Sequence, residues 1–268
     1  MAGQIAKKES SEIVAYEGFE EFQGEGFSEV KTEDLAIPFL RVLADVSPQV
    51  KKRDGAYVEG AEAGMIFNTV LNEVYEAEKG GIFVIPCHYN RRFVEWRGRE
   101  EGGGYVGSYT PDDPIVKTVV RSDQGQDLLP NGNQLTNTAQ FYVLMLHPEL
   151  GPQKALVTMA STQLKKSRKW LTQAQSLTAQ GKNGLYTMPL MSQIYKVTSV
   201  PEQNDKGSWY GWEIARERAL DLSNDMDSSF FQMGVAFAKS VKAGDVQVND
   251  GSSNPAQKVD ESDDQIPF

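Results

Sequence analysis

Residues Ile82 to Trp96 read IFVIPCHYNRRFVEW. Branched and aromatic residues fill this stretch, the composition of a pleated, half-buried strand. A second run of the same kind, MIFNTVLNEVY from Met65 to Tyr75, precedes it across EAEKGG. The two read as a β-hairpin. Upstream, LAIPFLRVL from Leu35 to Leu43 is the first strongly apolar run, and Pro38 argues against a long regular helix there. Downstream, Gly102-Gly103-Gly104 leads through YVGSYTPDDP into a polar stretch ending near Asn137. It holds too few hydrophobes for core and reads as a surface loop.

Two more strands follow, AQFYVLMLHP and KALVTMA, joined by the turn Glu149-Leu150-Gly151-Pro152. From Ser161 the period changes to that of a helix in STQLKKSRKWLTQAQSL. Leu164, Leu171, Ala174 and Leu177 fall on one face, with Lys165, Lys166, Arg168 and Lys169 on the other. Beyond Gly181 and Gly184, MPLMSQIYKVTSV and SWYGWEIARE form a further hairpin closed by Asn204-Asp205-Lys206-Gly207. DMDSSFFQMGVAFAKSVKAG then reads as a helix, with acids in its first turn, Lys239 and Lys242 near its end and Gly244 as its stop. Strands, one helix after the third or fourth of them and a closing hairpin fit a mainly β chain with α. The expected fold is a five-stranded OB-type barrel with inserted loops, a basic helix and a C-terminal helix. The expected division is an acidic arm over 1–30, a single domain over 31–244 and an acidic tail over 245–268.

Charge supports that division. The chain carries −10 overall, yet residues 1–34 hold nine acids against three lysines, and residues 245–268 hold six against Lys258. The body between them is close to neutral at +1. Within it, residues 150–201 contain no Asp or Glu and seven Lys or Arg. A basic block flanked by acidic ends favours a polyanion partner.

Binding a single strand of nucleic acid needs such charge together with aromatic faces on which bases stack. HYNRRFVEWRGR interleaves Tyr89, Phe93 and Trp96 with Arg91, Arg92, Arg97 and Arg99, and KKSRKW sets Trp170 at the border between the two faces of its helix. Phe93 reads as core, whereas Tyr89, Trp96 and Trp170 fit either core or platform. Trp209, Tyr210 and Trp212 alternate along one strand, so they cannot all face one way.

The final residues, Asp263-Asp264-Gln265-Ile266-Pro267-Phe268, resemble the acidic tip of bacterial and phage single-stranded DNA-binding proteins, which commonly end Asp-Asp-Asp-Ile-Pro-Phe. Gln265 stands where that family usually has a third acid. The resemblance implies an OB-type domain that coats single-stranded DNA without sequence preference during replication, recombination and repair. It also implies that Asp263, Asp264, Ile266, Pro267 and Phe268 dock partner enzymes, the ring and carboxylate of Phe268 entering a pocket with a basic rim. The expected setting is the cytoplasm of a bacterial or phage-infected cell, and a homo-oligomer is left open.

Other chemistries find less support. No run approaches about 18 apolar residues, so no membrane span is expected. The lone Cys87, with only His88 and His147 beside it, makes neither a disulfide framework nor a structural zinc site. No phosphate-binding GxxxxGK[ST] loop is present, and neither histidine sits in a nucleophile motif. The expectation is a non-enzyme without cofactor. The alternatives are a phage structural or scaffold protein and, next, a metal-dependent nuclease built on carboxylates such as Asp112 and Asp113.

Overall fold

A computed structural model describes residues 18–22, 24–30, 34–77, 80–98, 104–123, 125–205 and 207–246. The chain divides into two units, Met1–Leu35 and Ala36–Phe268. In the first, the described residues make successive tight turns, including a 3-10 turn at Phe19–Phe22, and Phe22 and Phe27 are exposed.

The second unit begins with β1 (Phe39–Val42), β2 (Ile66–Asn68), β3 (Glu73–Tyr75), β4 (Ile82–Trp96), β5 (Tyr105–Tyr109), β6 (Val120–Arg121) and β7 (Asp127–Leu128). The hairpin β8 (Gln134–His147) and β9 (Gly151–Ala160) leads into helix α1 (Leu164–Gln175). A small separate hairpin, β10 (Thr178–Gly181) and β11 (Gly184–Thr187), precedes β12 (Gln193–Asn204), β13 (Gly207–Ala219) and helix α2 (Asp225–Ala243). The fold is mainly β with two helices, and one sheet runs in the order β13-β12-β4-β8-β9-β1-β2-β3. β5 extends from β4, and the β6–β7 pair extends from β8. All pairings are antiparallel except that of β1 with β9.

The hairpin expected between residues 65–75 and 82–96 does not form. β2 pairs with β3, and β4 pairs instead with β8 and β12. The reason is local: the side chain of Asn68 accepts the backbone N–H groups of Val70 and Leu71, at 3.1 and 3.0 Å, and Asn72 adopts a left-handed backbone with φ 56°. The chain turns back at once, as Asn in a turn allows. The polar stretch read as a loop supplies β5, β6, β7 and the start of β8.

The sheet curls around a core containing Phe141, Val143, Val157, Tyr195, Val197 and Trp212. The curl brings distant segments together: the hydroxyl of Ser199 donates to the carbonyl of Gly64. At Gly81, which has φ +69°, a Cβ would lie 2.6 Å from the carbonyl oxygen of Val197. Only glycine fits that approach. Helix α1 caps this interior with Trp170, which is 1% exposed.

Trp170 is thus a correction to its reading as a stacking platform. Its ring stacks on Phe141 with centroids 4.2 Å apart and meets Tyr195 edge-on at 5.4 Å, so neither face remains for a base. Helix α2 covers the other side of the sheet, packing Phe237 and Val241 against Ile85, Tyr142, Leu144 and their neighbours. Asn224 caps its start by accepting the N–H groups of Met226 and Asp227, and Gly244 ends it with φ 86°. The buried carboxylate of Asp227 accepts two hydrogen bonds from Arg218, which fastens α2 to the end of β13. Among the described residues no helix is long and apolar enough to cross a membrane.

Replacing Trp170 by Ala should cost about 3 to 5 kcal/mol of folding free energy, because it empties the capped end of the core. Denaturant unfolding measures it; a change within about 1 kcal/mol would remove the residue from the core.

Candidate functional site

Side chains alternate along a strand, and β8 uses both faces. Ala139, Phe141 and Val143 point into the curled core, while Tyr142 and Leu144 point to the opposite side. Helix α2 covers that outer side only at its Leu144 end. Beyond Tyr142 it lies open, and there β4, β8 and β9 floor a cleft of about 750 Å³.

The floor is polar, with Thr136, Thr138 and Gln140 from β8 and Thr158 from β9. Arg92 and Trp96 rise from β4, Tyr105 from β5, Arg41 from β1 and Tyr210 from β13. Trp96 and Tyr105 stand edge to face, with centroids 6.2 Å apart and an angle of 80°. Tyr105 is 38% exposed. Arg41 and Arg92 are the charged residues of the lining, and no carboxylate is among the described residues that line it.

The arm that carries Tyr105 is held by one buried acid. Glu95 points away from the cleft and accepts hydrogen bonds from Tyr109 at 2.5 Å, Asn133 at 2.5 Å and Asn131 at 2.9 Å. Burial works against its charge, but the three donors outweigh burial and hold its carboxyl below the usual range. The same bond pushes the Tyr109 phenol up to about 12. Three segments, β4, β5 and the turn before β8, thereby meet on a single carboxylate.

A shallower groove lies between α1 and the tip of the β12–β13 hairpin, lined by Lys165, Lys166, Lys169, Gln203 and Trp209. Glu202 sits within it, paired with Lys166. It also accepts the Gln163 amide and the Trp209 indole N–H, each at 2.8 Å. Burial opposes the charge of Glu202 too, and Lys166, Gln163 and Trp209 together lower its pKa despite that.

Of the residues singled out from sequence, Arg92 and Trp96 meet in the cleft, and Lys165, Lys166 and Lys169 meet in the groove. Arg97 lies exposed just beyond β4, its backbone N–H bonded to the Gly104 carbonyl at 2.9 Å. Tyr89 instead packs on Phe141 with centroids 5.1 Å apart, on the core side of β4. Arg91 donates to Asn137 at 3.0 Å and lies over the Phe93 ring, away from the cleft. Arg168 is exposed on α1 and lines neither concavity. Asp263, Asp264, Ile266, Pro267 and Phe268 lie outside the described residues.

Sequence reasoning missed Arg41, Gln140, Tyr105 and Tyr210. A basic residue inside the apolar LAIPFLRVL was a signal for Arg41, since a charge on a strand must face out of the core. Nothing local marks Gln140. Among the described residues no cluster of three or more His, Cys, Asp or Glu side chains is arranged to hold a metal ion.

Fold and site define a mainly β protein whose open cleft combines arginines with aromatic rings. Residues 7–247 match the family model described as Pam3 phage gp34-like protein, and the chain belongs to that phage family. No match to it was found among curated proteins or solved structures.

Because the folded pKa of Glu95 is depressed, its contribution to stability is complete above the unfolded value of about 4.3 and is lost as pH falls through the folded value. Stability should therefore decline on acidification below about pH 4.5. Glu95→Gln should flatten that decline and lower stability at neutral pH by about 1 to 3 kcal/mol, measured by denaturant midpoints across pH. Asp227 and Glu202, whose pKa values are also lowered, retain part of the slope. An identical pH profile in the variant would mean that Glu95 does not carry the effect.

Proposed function

We propose that this protein binds single-stranded DNA along the outer face of β4, β8 and β9 and recruits partner enzymes through its acidic tip. The observation that carries the proposal is the cleft itself: two arginines, three accessible aromatic rings from separate strands and no carboxylate among the described lining residues. Phosphates need the first and unstacked bases the second. Strand order supports the reading. β4, β8, β9, α1, β12 and β13 follow the sequence of a five-stranded OB-type barrel with its helix between the third and fourth strands. In that frame the cleft lies over the second and third strands, the long β4–β8 connection forms one wall, and the β12–β13 tip borders the basic groove. These are the places where OB-folds take oligonucleotides. Phage membership fits a role in replication, recombination or repair of phage DNA.

Titrating the protein with oligo-dT while following tryptophan fluorescence tests the proposal. Quenching should saturate, and affinity should fall steeply with salt. Trp96→Ala should cost about 1 to 3 kcal/mol of binding while leaving the melting temperature nearly unchanged. Changing Lys165, Lys166, Arg168 and Lys169 together to Ala should flatten the salt slope by about 0.7 for each phosphate that the variant no longer neutralises. If oligo-dT produces neither quenching nor a shift in anisotropy at low salt, the proposal is wrong.

The tail adds a separable effect. Val246, just past α2, lines the cleft, and the sequence after it carries five acids against Lys258. A tethered polyanion competes at high effective concentration. Deleting residues 247–268 should tighten DNA binding at low salt. Deleting Phe268 alone should leave DNA binding unaltered and abolish capture of partner enzymes, because the ring is uncharged. Equal capture by the intact chain and the Phe268 deletion would end the docking role of the tip.

A further inference from the structure

One apolar feature of the basic stretch lines neither the cleft nor the groove. The β10–β11 hairpin forms a sheet of its own. Its base is tied just past α1, where the Met188 N–H donates to the Leu177 carbonyl at 2.8 Å. Ala179 pairs with Tyr186 and Gly181 with Gly184, so one face carries no side chain beyond a methyl group and a phenol ring. A Cβ at Gly181 would lie 3.0 Å from the Tyr186 ring, which therefore lies along the hairpin toward its tip. At Gly184 a Cβ would meet no atom within 4 Å. Glycine within a strand suits close approach of another surface. The opposite face presents Leu185, paired with Gln180. Leu185 is 73% exposed and Tyr186 50%.

A single exposed apolar residue needs no ligand, but these two stand on opposite faces of one thin blade. A flat protein surface would cover one face and leave the other in water. A gap between stacked planes covers both, which is how apolar wedges enter between bases. Charge points to the same partner. The tip holds the exposed Lys182, and no Asp or Glu occurs from residue 150 to residue 201, so neither the hairpin nor the helix before it repels a phosphate. Resting on the single-strand reading above, we infer that this hairpin is a wedge for the junction between single-stranded and double-stranded DNA. Tyr186 stacks on the last base pair of the duplex, and Leu185 packs against the first unpaired base. Inside a duplex the wedge would have to break base stacking, and along a free strand it meets no base pair at all. At the junction it enters between a pair and a base that no pairing holds in place. The protein is thereby set at the boundary where a coated strand ends.

The test compares labelled probes: a free dT strand, the same strand joined at either of its ends to a short duplex, and the blunt duplex alone. The intact protein should bind one of the joined strands about fivefold or more tightly than free dT. A fluorescent adenine analogue in the last base pair should change its emission on binding, and the same analogue in the middle of the duplex should not. Changing Leu185→Ser and Tyr186→Ser together should bring the ratio of joined to free dT near one and leave free dT affinity within about twofold, since no charge is altered. Tyr186→Phe should keep the preference, because it keeps the ring. Equal affinity of the intact protein for free and joined dT, with no change in emission, would overturn the inference and leave single-strand binding standing. That comparison uses the unaltered chain, so it decides the matter even if the double variant fails to fold. If the double variant instead sediments as a smaller species than the intact chain, the hairpin joins copies of this chain and the inference falls. Absence of binding to every strand that contains dT would reject the single-strand reading itself.

Discussion

The pairing of β4 with β8 is the constraint on which the rest of the molecule depends. These strands are 15 and 14 residues long and run antiparallel from Val84↔Met145 to Trp96↔Gln134. Strands of that length outlast any single layer that covers them. On the core side the interior is filled throughout, by Val143, Phe141 and Ala139 on β8. On the outer side α2 covers only the end near Leu144. The remainder stays open because the helix stops at Gly244, whose left-handed backbone ends it one residue before Asp245. The cleft is therefore the uncovered half of a face whose other half is core. Its residues are polar for the same reason that Leu144 is not.

Much of this architecture was legible in the sequence, and the failures have physical causes. β8 with β9, β12 with β13, α1 and α2 are all formed by neighbours in the chain, where period and turn chemistry act over short distances. β4 was readable as a strand but not as the partner of β8, because its nearest strand-like neighbour, residues 65–75, folds on itself around Asn68 and Asn72. The polar stretch after Trp96 concealed β5, β6 and β7. They are held by hydrogen bonds to Glu95 and to strand edges rather than by apolar burial, and such bonds leave no hydrophobic period to detect.

The candidate site divides along the same line. Arg92 and Trp96 were found because charge and aromatic residues alternate within one strand. Tyr89 and Arg91 share that pattern but, as odd-numbered residues of the same strand, alternate to the other face, and the bulge between Pro86 and His88 decides which set points outward. Trp170 shows a limit of helical projection. A ring at the border of an amphipathic face is outward on a helix lying flat, but inward on one that caps a curled sheet, and only tertiary structure distinguishes the two. Arg41, Gln140 and Tyr210 come from strands distant in sequence and are brought to one cleft by sheet order alone.

Glu202 shows how far stability and anion binding oppose each other in this molecule. It is an acid in the middle of the basic groove, and it ties Lys166 of α1, Gln163 just before that helix and Trp209 of β13 into one cluster. Without a carboxylate there, the lysines of α1 would repel one another with no anchor across the groove. With it, Lys166 is neutralised in part and the Trp209 indole is oriented through its N–H. The bare protein thus carries an anion of its own where an incoming phosphate would find the lysines, and the two must compete for Lys166. The groove is held in shape by the same interaction that weakens its field. The cleft has no such acid among its described lining residues. The two concavities thus differ in whether a described carboxylate stands among the basic side chains that line them.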